Sequence, residues 1–225
     1  MSDPTRTAQF FIGLDLGKRQ DYTALTVLAE REKKGKVRTG QQRASAPYQW
    51  SFSEYWLQHL QRWPLGTKYK AIAAEVGELT RRRPFRGTAA TLVVDRGGVG
   101  EAVFEQIEDE AEGGPVELQG ITITGGKSVT RAGPGHLRVP KRDLVAALQV
   151  AVQNEEIRAA SELELWPTLR SEMESFTAEI TETGHDTYEA RQGEHDDLVL
   201  TLALPMWLAR RRRGRKTGEY VDSRF

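Results

Sequence analysis

The sequence predicts one α/β domain built on a mixed sheet, and three observations lead there. Two apolar runs, QFFIGLDLG at 9–17 and TALTVLAER at 23–31, flank a short polar turn and open the chain as a β-meander. Further along, short β-branched runs alternate with amphipathic stretches of helical spacing, the pattern of strands paired through crossover helices. No internal repeat or long linker divides the 225 residues, a length that suits one good-sized core. Residues 1–209 are therefore read as the domain and 210–225 as a basic, flexible tail.

In chain order, the charged EKKGK at 32–36 reads as a hairpin turn into a third strand, VRTGQQRASAPYQW at 37–50. In SFSEYWLQHLQRW, Phe52, Tyr55, Trp56, Leu60 and Trp63 fall at helical spacing, stopped by Pro64, so a helix is expected. YKAIAAEVGEL at 69–79 repeats that signal and leaves Glu75 and Glu78 on its solvated side. The run Leu92–Val94 makes a strand that ends in Asp95, followed by a glycine-rich turn and an amphipathic helix. VELQGITITGG at 116–126 is another strand, and VPKRDLVAALQ opens a helix with Pro140 at its start. A short strand near 157–160, a helix over ELELWPTLRSEMESFTAE and two short polar strands flanking Gly184 complete the order. The last long helix starts in GEHDDLVLTLAL at 193–204.

Composition excludes several function classes. There is no cysteine, so disulfides, thiolate metal sites and a cysteine nucleophile are out. Lys plus Arg equals Asp plus Glu at 32 each, so net charge favours no polyanion, and only local clustering can. No apolar run approaches membrane-spanning length, and the leading MSDPTRTAQ is polar, unlike a signal peptide. A cytoplasmic protein without a membrane role is expected.

Asp15, Asp95 and the pair Asp196–Asp197 each sit where a strand ends or a helix begins. Singly, each is most simply a capping or turn aspartate. Together they point elsewhere, because open α/β sheets gather ligands at the carboxyl ends of their strands. Carboxylates collected at one edge repel and raise one another's pKa unless a cation joins them, and oxygen-only ligands suit Mg²⁺ or Mn²⁺. Asp21 is read as an auxiliary ligand or a turn residue, and His195 as a group beside Asp196 or a surface histidine.

Other motifs fare less well. GITITGGKS fails as a phosphate loop, because Gly126 separates Gly125 from Lys127 and no helix follows. GLDLG and DRGGVG are similar to the phosphate hairpins of actin-like kinases, but two nucleotide-closing lobes need more chain and Asp196 and Asp197 stay unexplained. Basic clusters at 81–86, 136–142 and 210–216 are ordinary solvated surface or the footprint of a polyanion.

GLDLGKRQDYTALTVL, LVVDRGGVGEAVFEQI, VPKRDLVAALQ and GEHDDLVLTLAL, in this order, resemble the nuclease domain of phage large terminase subunits. The resemblance covers about Phe10 to Leu208 and implies an RNase H-like mixed sheet flanked by helices. It makes Asp15, Asp95 and Asp197 the core catalytic and metal positions, Asp196 an alternative or supporting ligand and Asp21 a peripheral one. It implies two-metal hydrolysis of double-stranded DNA with Mg²⁺ or Mn²⁺ and little sequence specificity. Implied partners are an ATPase motor domain, a portal protein and a small terminase subunit, in the cytoplasm of a phage host. The chain has no Walker A motif, so it resembles only the nuclease half, as an excised domain or a separately encoded protein. Lys127, Arg138, Lys141 and Arg142 are candidate DNA-backbone contacts by local charge. A Holliday-junction resolvase and a non-cutting packaging scaffold are the alternatives.

Overall fold

In the computed structural model, residues 9–17, 21–37, 48–160, 162–183 and 196–217 are described, without side chains at 34–37, 48–51, 176–183 and 215–217. They form one eight-stranded sheet in the order β6-β7-β5-β4-β1-β2-β3-β8. At its centre β1 (Gln9–Asp15) pairs antiparallel with β2 (Ala24–Val37) and parallel with β4 (Ala90–Asp95). Beyond β4, β5 (Val116–Thr124) and β7 (His136–Pro140) continue the parallel half, closed by the antiparallel edge β6 (Thr130–Gly133). On the other side β3 (Tyr48–Arg62) runs antiparallel to β2, and the short β8 (Ile157–Ala159) covers its edge.

Among the described residues, five helices cover both faces. α1 (Tyr69–Arg81) and α2 (Gly100–Ala111) pack Ile72, Val76, Phe104 and Ile107 against Ile12, Leu14 and Leu92 on one face. α3 (Lys141–Gln153), α4 (Trp166–Thr183) and α5 (Asp197–Thr217) cover Phe11, Val93, Ile121 and Tyr55 on the other. α5 is buried nearly all round from Leu198 to Ala209, as a helix passing through the core must be. Because both faces are covered, β1 and β4 read as unbroken apolar runs rather than alternating ones.

Two expectations are corrected. Residues 52–62, expected as a helix, are the second half of β3. The cause is a β-bulge: His59 pairs with Val27 but Leu57 with Leu28, so Gln58 has no partner across the ladder. The extra residue shifts the alternation and puts Leu57 and Leu60, three apart, into the same core, which imitates helical spacing. Trp56, packed against the opposite core, completes the false stripe. The second correction is the turn expected at EKKGK: β2 runs through it to Val37, whose partner is Tyr48, so β2 and β3 form one long ribbon. Cross-strand pairs, including Ser53 with Glu30 and Lys33 with Glu54, make those charged positions compatible with a strand.

The body of the expected third strand, 38–47, lies outside the described residues. Of the two polar strands expected around Gly184, the residues up to Thr183 are helical and 184–195 lie outside the described residues. The β6–β7 hairpin was not expected, since its exposed, Gly- and Pro-bearing sequence carries no apolar alternation. Where the basic tail was expected to begin, α5 continues through Arg210 to Thr217. There Arg210 pairs with Glu156, and the Arg212 fork donates to both oxygens of Glu117 at 2.8 and 2.9 Å and to Thr91 at 2.8 Å.

Candidate metal centre

One close approach fixes the site. A Cβ on Gly13 would stand 1.9 Å from the Thr201 carbonyl oxygen and 2.7 Å from Cδ of Pro205. Pro205 has no N–H to give to Thr201 one turn back, so this carbonyl is turned onto β1, where only glycine leaves room. From that contact, β1 advances two residues, about 6.6 Å, to Asp15. α5, running the other way, goes back four residues, about 6 Å, to Asp197. The two carboxylates therefore meet at the carboxyl edge of the sheet. Asp95 joins them because β4 lies parallel beside β1 with Leu14 opposite Val94. Asp196 immediately precedes the helix, its carbonyl accepting the Leu200 N–H at 2.9 Å.

The electrostatics register this gathering. Burial, then the negative charges of Asp95, Asp196, Asp197 and Asp21, hold the Asp15 carboxyl well above the usual carboxylate range. Burial also raises Asp95, opposed by backbone N–H groups of Gly97 and Ile123. The Gly97 N–H donates to Asp95 Oδ1 at 2.7 Å, in a turn whose next residue, Gly98, has φ of 58°.

Two cations reach in. Lys141 Nζ, from the first residue of α3, stands 3.1 Å from Asp196 Oδ2. Arg62, the last residue of β3, places Nε 2.7 Å from Asp197 Oδ2 and Nη2 on Glu172, with its guanidinium 4.9 Å from the Tyr22 ring centre. The Arg62–Asp197 contact is a charge contact without hydrogen-bond alignment.

Glu172 is the functional candidate that sequence reasoning missed. Its Oε2 accepts the N–H groups of Leu198 at 3.0 Å and Val199 at 3.3 Å, so Glu172 caps the start of α5. Burial, then the charge of Asp197, pushes its carboxyl up to about 7 against the opposing Arg62. A signal existed: Leu169 and Met173 mark the apolar stripe of α4, and Glu172 interrupts it.

Asp15, Asp95, Asp196 and Asp197 thus come together, and Asp21 is exposed at the margin of the group. Lys141 is beside Asp196, and Arg142 donates to the Lys127 carbonyl at 2.5 Å, tying the 125–128 loop to the start of α3. Lys127 and Arg138 are exposed, while His195 lies outside the described residues. A cavity of about 190 Å³ opens beside Asp21 and Gly17, and a larger one of about 250 Å³ lies away from the aspartates, between the β6–β7 hairpin and the far half of α5. The aspartates lie on the open edge rather than in the larger hollow.

The donor set is all oxygen, which fits Mg²⁺ or Mn²⁺. As arranged, no three carboxylate or imidazole side chains among the described residues stand ready to hold one ion. Asp197 lies against Arg62 and Asp196 against Lys141.

A solved structure of the human cytomegalovirus terminase nuclease domain, soaked with Mn, matches at a TM-score of 0.52 and 11% identity, over 92% of this chain and 86% of that one. The fold is RNase H-like. A Thermus thermophilus RuvC structure matches at a TM-score of 0.42 and 15% identity, over 91% of this chain and 96% of that one. No protein-family model and no curated protein matches the sequence. In this RNase H-like domain the strand order β5-β4-β1-β2-β3, with only β2 reversed at the centre, is what sets Asp15 and Asp95 side by side.

Proposed function

We propose that the chain is a divalent-metal-dependent endonuclease that hydrolyses phosphodiester bonds of double-stranded DNA, as a terminase-type nuclease in viral genome packaging. The observation that carries this is the convergence of Asp15, Asp95, Asp196 and Asp197 on one open sheet edge, with repulsion among them that only added positive charge relieves. The likeness to the cytomegalovirus protein, a terminase nuclease domain soaked with Mn, supports the same chemistry and metal class.

In this reading Asp15, Asp95 and Asp197 hold two Mg²⁺ or Mn²⁺ ions, with Asp196 in support and Asp21 peripheral. Such ions supply Lewis acidity and charge to phosphodiester hydrolysis. The chain's own contribution is the scaffold: two adjacent strands and the start of a buried helix bring the three carboxylates to one edge of the sheet. Lys127, Arg138, Lys141 and Arg142 contact the DNA backbone and position the duplex without reading sequence. An ATPase motor, a portal and a small terminase subunit are the partners this role requires, in the cytoplasm of an infected cell.

The test incubates supercoiled plasmid with the protein in Mg²⁺, Mn²⁺ or chelator, beside the Asp95→Asn variant. Metal-dependent nicking and linearisation by the wild type alone is expected. Equal cutting by Asp95→Asn protein would overturn the assignment. A strong preference for four-way junctions over linear duplex would replace the packaging role with junction resolution.

A further inference from the structure

We propose that Arg62 is a resident counter-cation of the acidic edge, competing with the divalent ion for Asp197 and so setting the affinity of the metal site. This rests on the reading of that edge as a metal centre.

Three observations carry it. First, Arg62 stands where added positive charge is needed. Its side chain is 15% exposed, and it reaches Asp197 at 2.7 Å and Glu172 through separate nitrogens of one planar fork. Second, Arg62 has an anchor that does not depend on Asp197. Glu172 is fixed by the Leu198 and Val199 N–H groups, and the Tyr22 ring lies 4.9 Å from the guanidinium. Arg62 can therefore give up Asp197 and keep Glu172 and the Tyr22 ring as partners, so its release leaves no buried cation stranded. Third, Asp15, Asp95, Asp196 and Asp197 lie together, and Arg62 and Lys141 are held against two of them, Asp197 and Asp196. An ion arriving among these carboxylates meets a guanidinium already on Asp197. That ion and the guanidinium need the same Asp197 oxygens, and like charges so close oppose one another.

Competition and mere support predict opposite signs. If Arg62 competes, removing its charge strengthens metal binding. Neutralising Glu172 strips Arg62 of its other partner, commits it to Asp197 and weakens binding. If Arg62 only shapes the site, both changes weaken it.

The experiment is a calorimetric Mn²⁺ titration of the full chain, without DNA, for wild type, Arg62→Gln, Arg62→Lys, Glu172→Gln and Asp95→Asn, each also melted with and without Mn²⁺. The expected result is about tenfold tighter Mn²⁺ binding by Arg62→Gln, an estimate from the charge removed near the ion. Arg62→Lys should stay within about threefold of wild type, and Glu172→Gln, whose amide oxygen still accepts the α5 N–H groups, should bind several-fold more weakly. Should Arg62→Gln fail to fold, the Glu172→Gln direction decides: tighter or unchanged binding there overturns the proposal. Wild-type binding with Arg62→Gln equal or weaker also overturns it, while leaving the metal centre intact. No Mn²⁺ binding by any protein, Arg62→Gln included, would refute the metal centre and the proposal together.

Discussion

Replacing Gly13 by alanine tests the construction of the site without touching a carboxylate. The new Cβ would stand 1.9 Å from the Thr201 carbonyl oxygen, whereas ordinary contact begins near 3.4 Å, so α5 and β1 must separate locally by up to about 1.5 Å. Neither side yields easily. β1 is hydrogen-bonded to β2 and β4, and the contacted backbone belongs to a helix turn fixed by Pro205. Overpacking of this kind costs about 1–3 kcal/mol. In a domain of this size that lowers Tm by roughly 2–12 °C. The effect on function should be larger than the effect on stability. Asp15 lies two residues beyond Gly13 and Asp197 one turn before Thr201, so the displacement opens the gap between the carboxylates. A misplacement of about 1 Å in a reacting geometry costs on the order of a hundredfold in rate. Plasmid nicking in Mn²⁺ and thermal melting, measured on the same preparation, check both numbers. Gly125→Ala is the control, because nothing lies within 4 Å of a Cβ there. A Gly13→Ala protein with wild-type melting and nicking would refute the account of how α5 places Asp197.

Asp15→Asn should abolish nicking yet raise the Tm of the metal-free protein at neutral pH. The folded-state pKa of Asp15 is raised, so its penalty is absent below the unfolded value near 3.9 and grows as pH rises towards the folded value. Melting both proteins without metal from pH 5 to 8 checks this, and a variant that melts lower than wild type at pH 8 contradicts it. Leu202→Ala, at a fully buried position of α5, should cost about 2–5 kcal/mol, read by urea unfolding. A loss below about 1 kcal/mol would mean α5 is not packed as described. Lys127→Ala and Arg138→Ala should each weaken duplex binding regardless of sequence and reduce the salt slope by about one. Unchanged salt dependence would remove those residues from the DNA path.

What was legible in the sequence and what was not divide along a physical line. β1, β4 and α5 could be read because each is buried on every side, so its apolar run is continuous and its end is marked by a charged residue. The carboxylates that terminate them, Asp15, Asp95 and Asp197, came with those elements. β3 was misread because Gln58 bulges out of the ladder, and a sequence does not show the partner strand against which a bulge is defined. That single error had a consequence at the site. With SFSEYWLQHLQRW taken as a helix, nothing marked Arg62 as the end of a strand adjoining Asp197. Glu172 was passed over for another reason: it interrupts the apolar stripe of α4, but the helix start it caps is not visible from α4 itself. The ends of buried elements are written locally, in residues a few positions apart. The charges that answer them come from 110 residues apart, as Arg62 and Glu172 do. It follows that the carboxylates of such an edge can be inferred from the ends of buried elements, here two strands and one helix. The cations beside them depend on the tertiary arrangement: Arg62 ends β3, which lies beside β2, and α5 packs against β1 at Gly13.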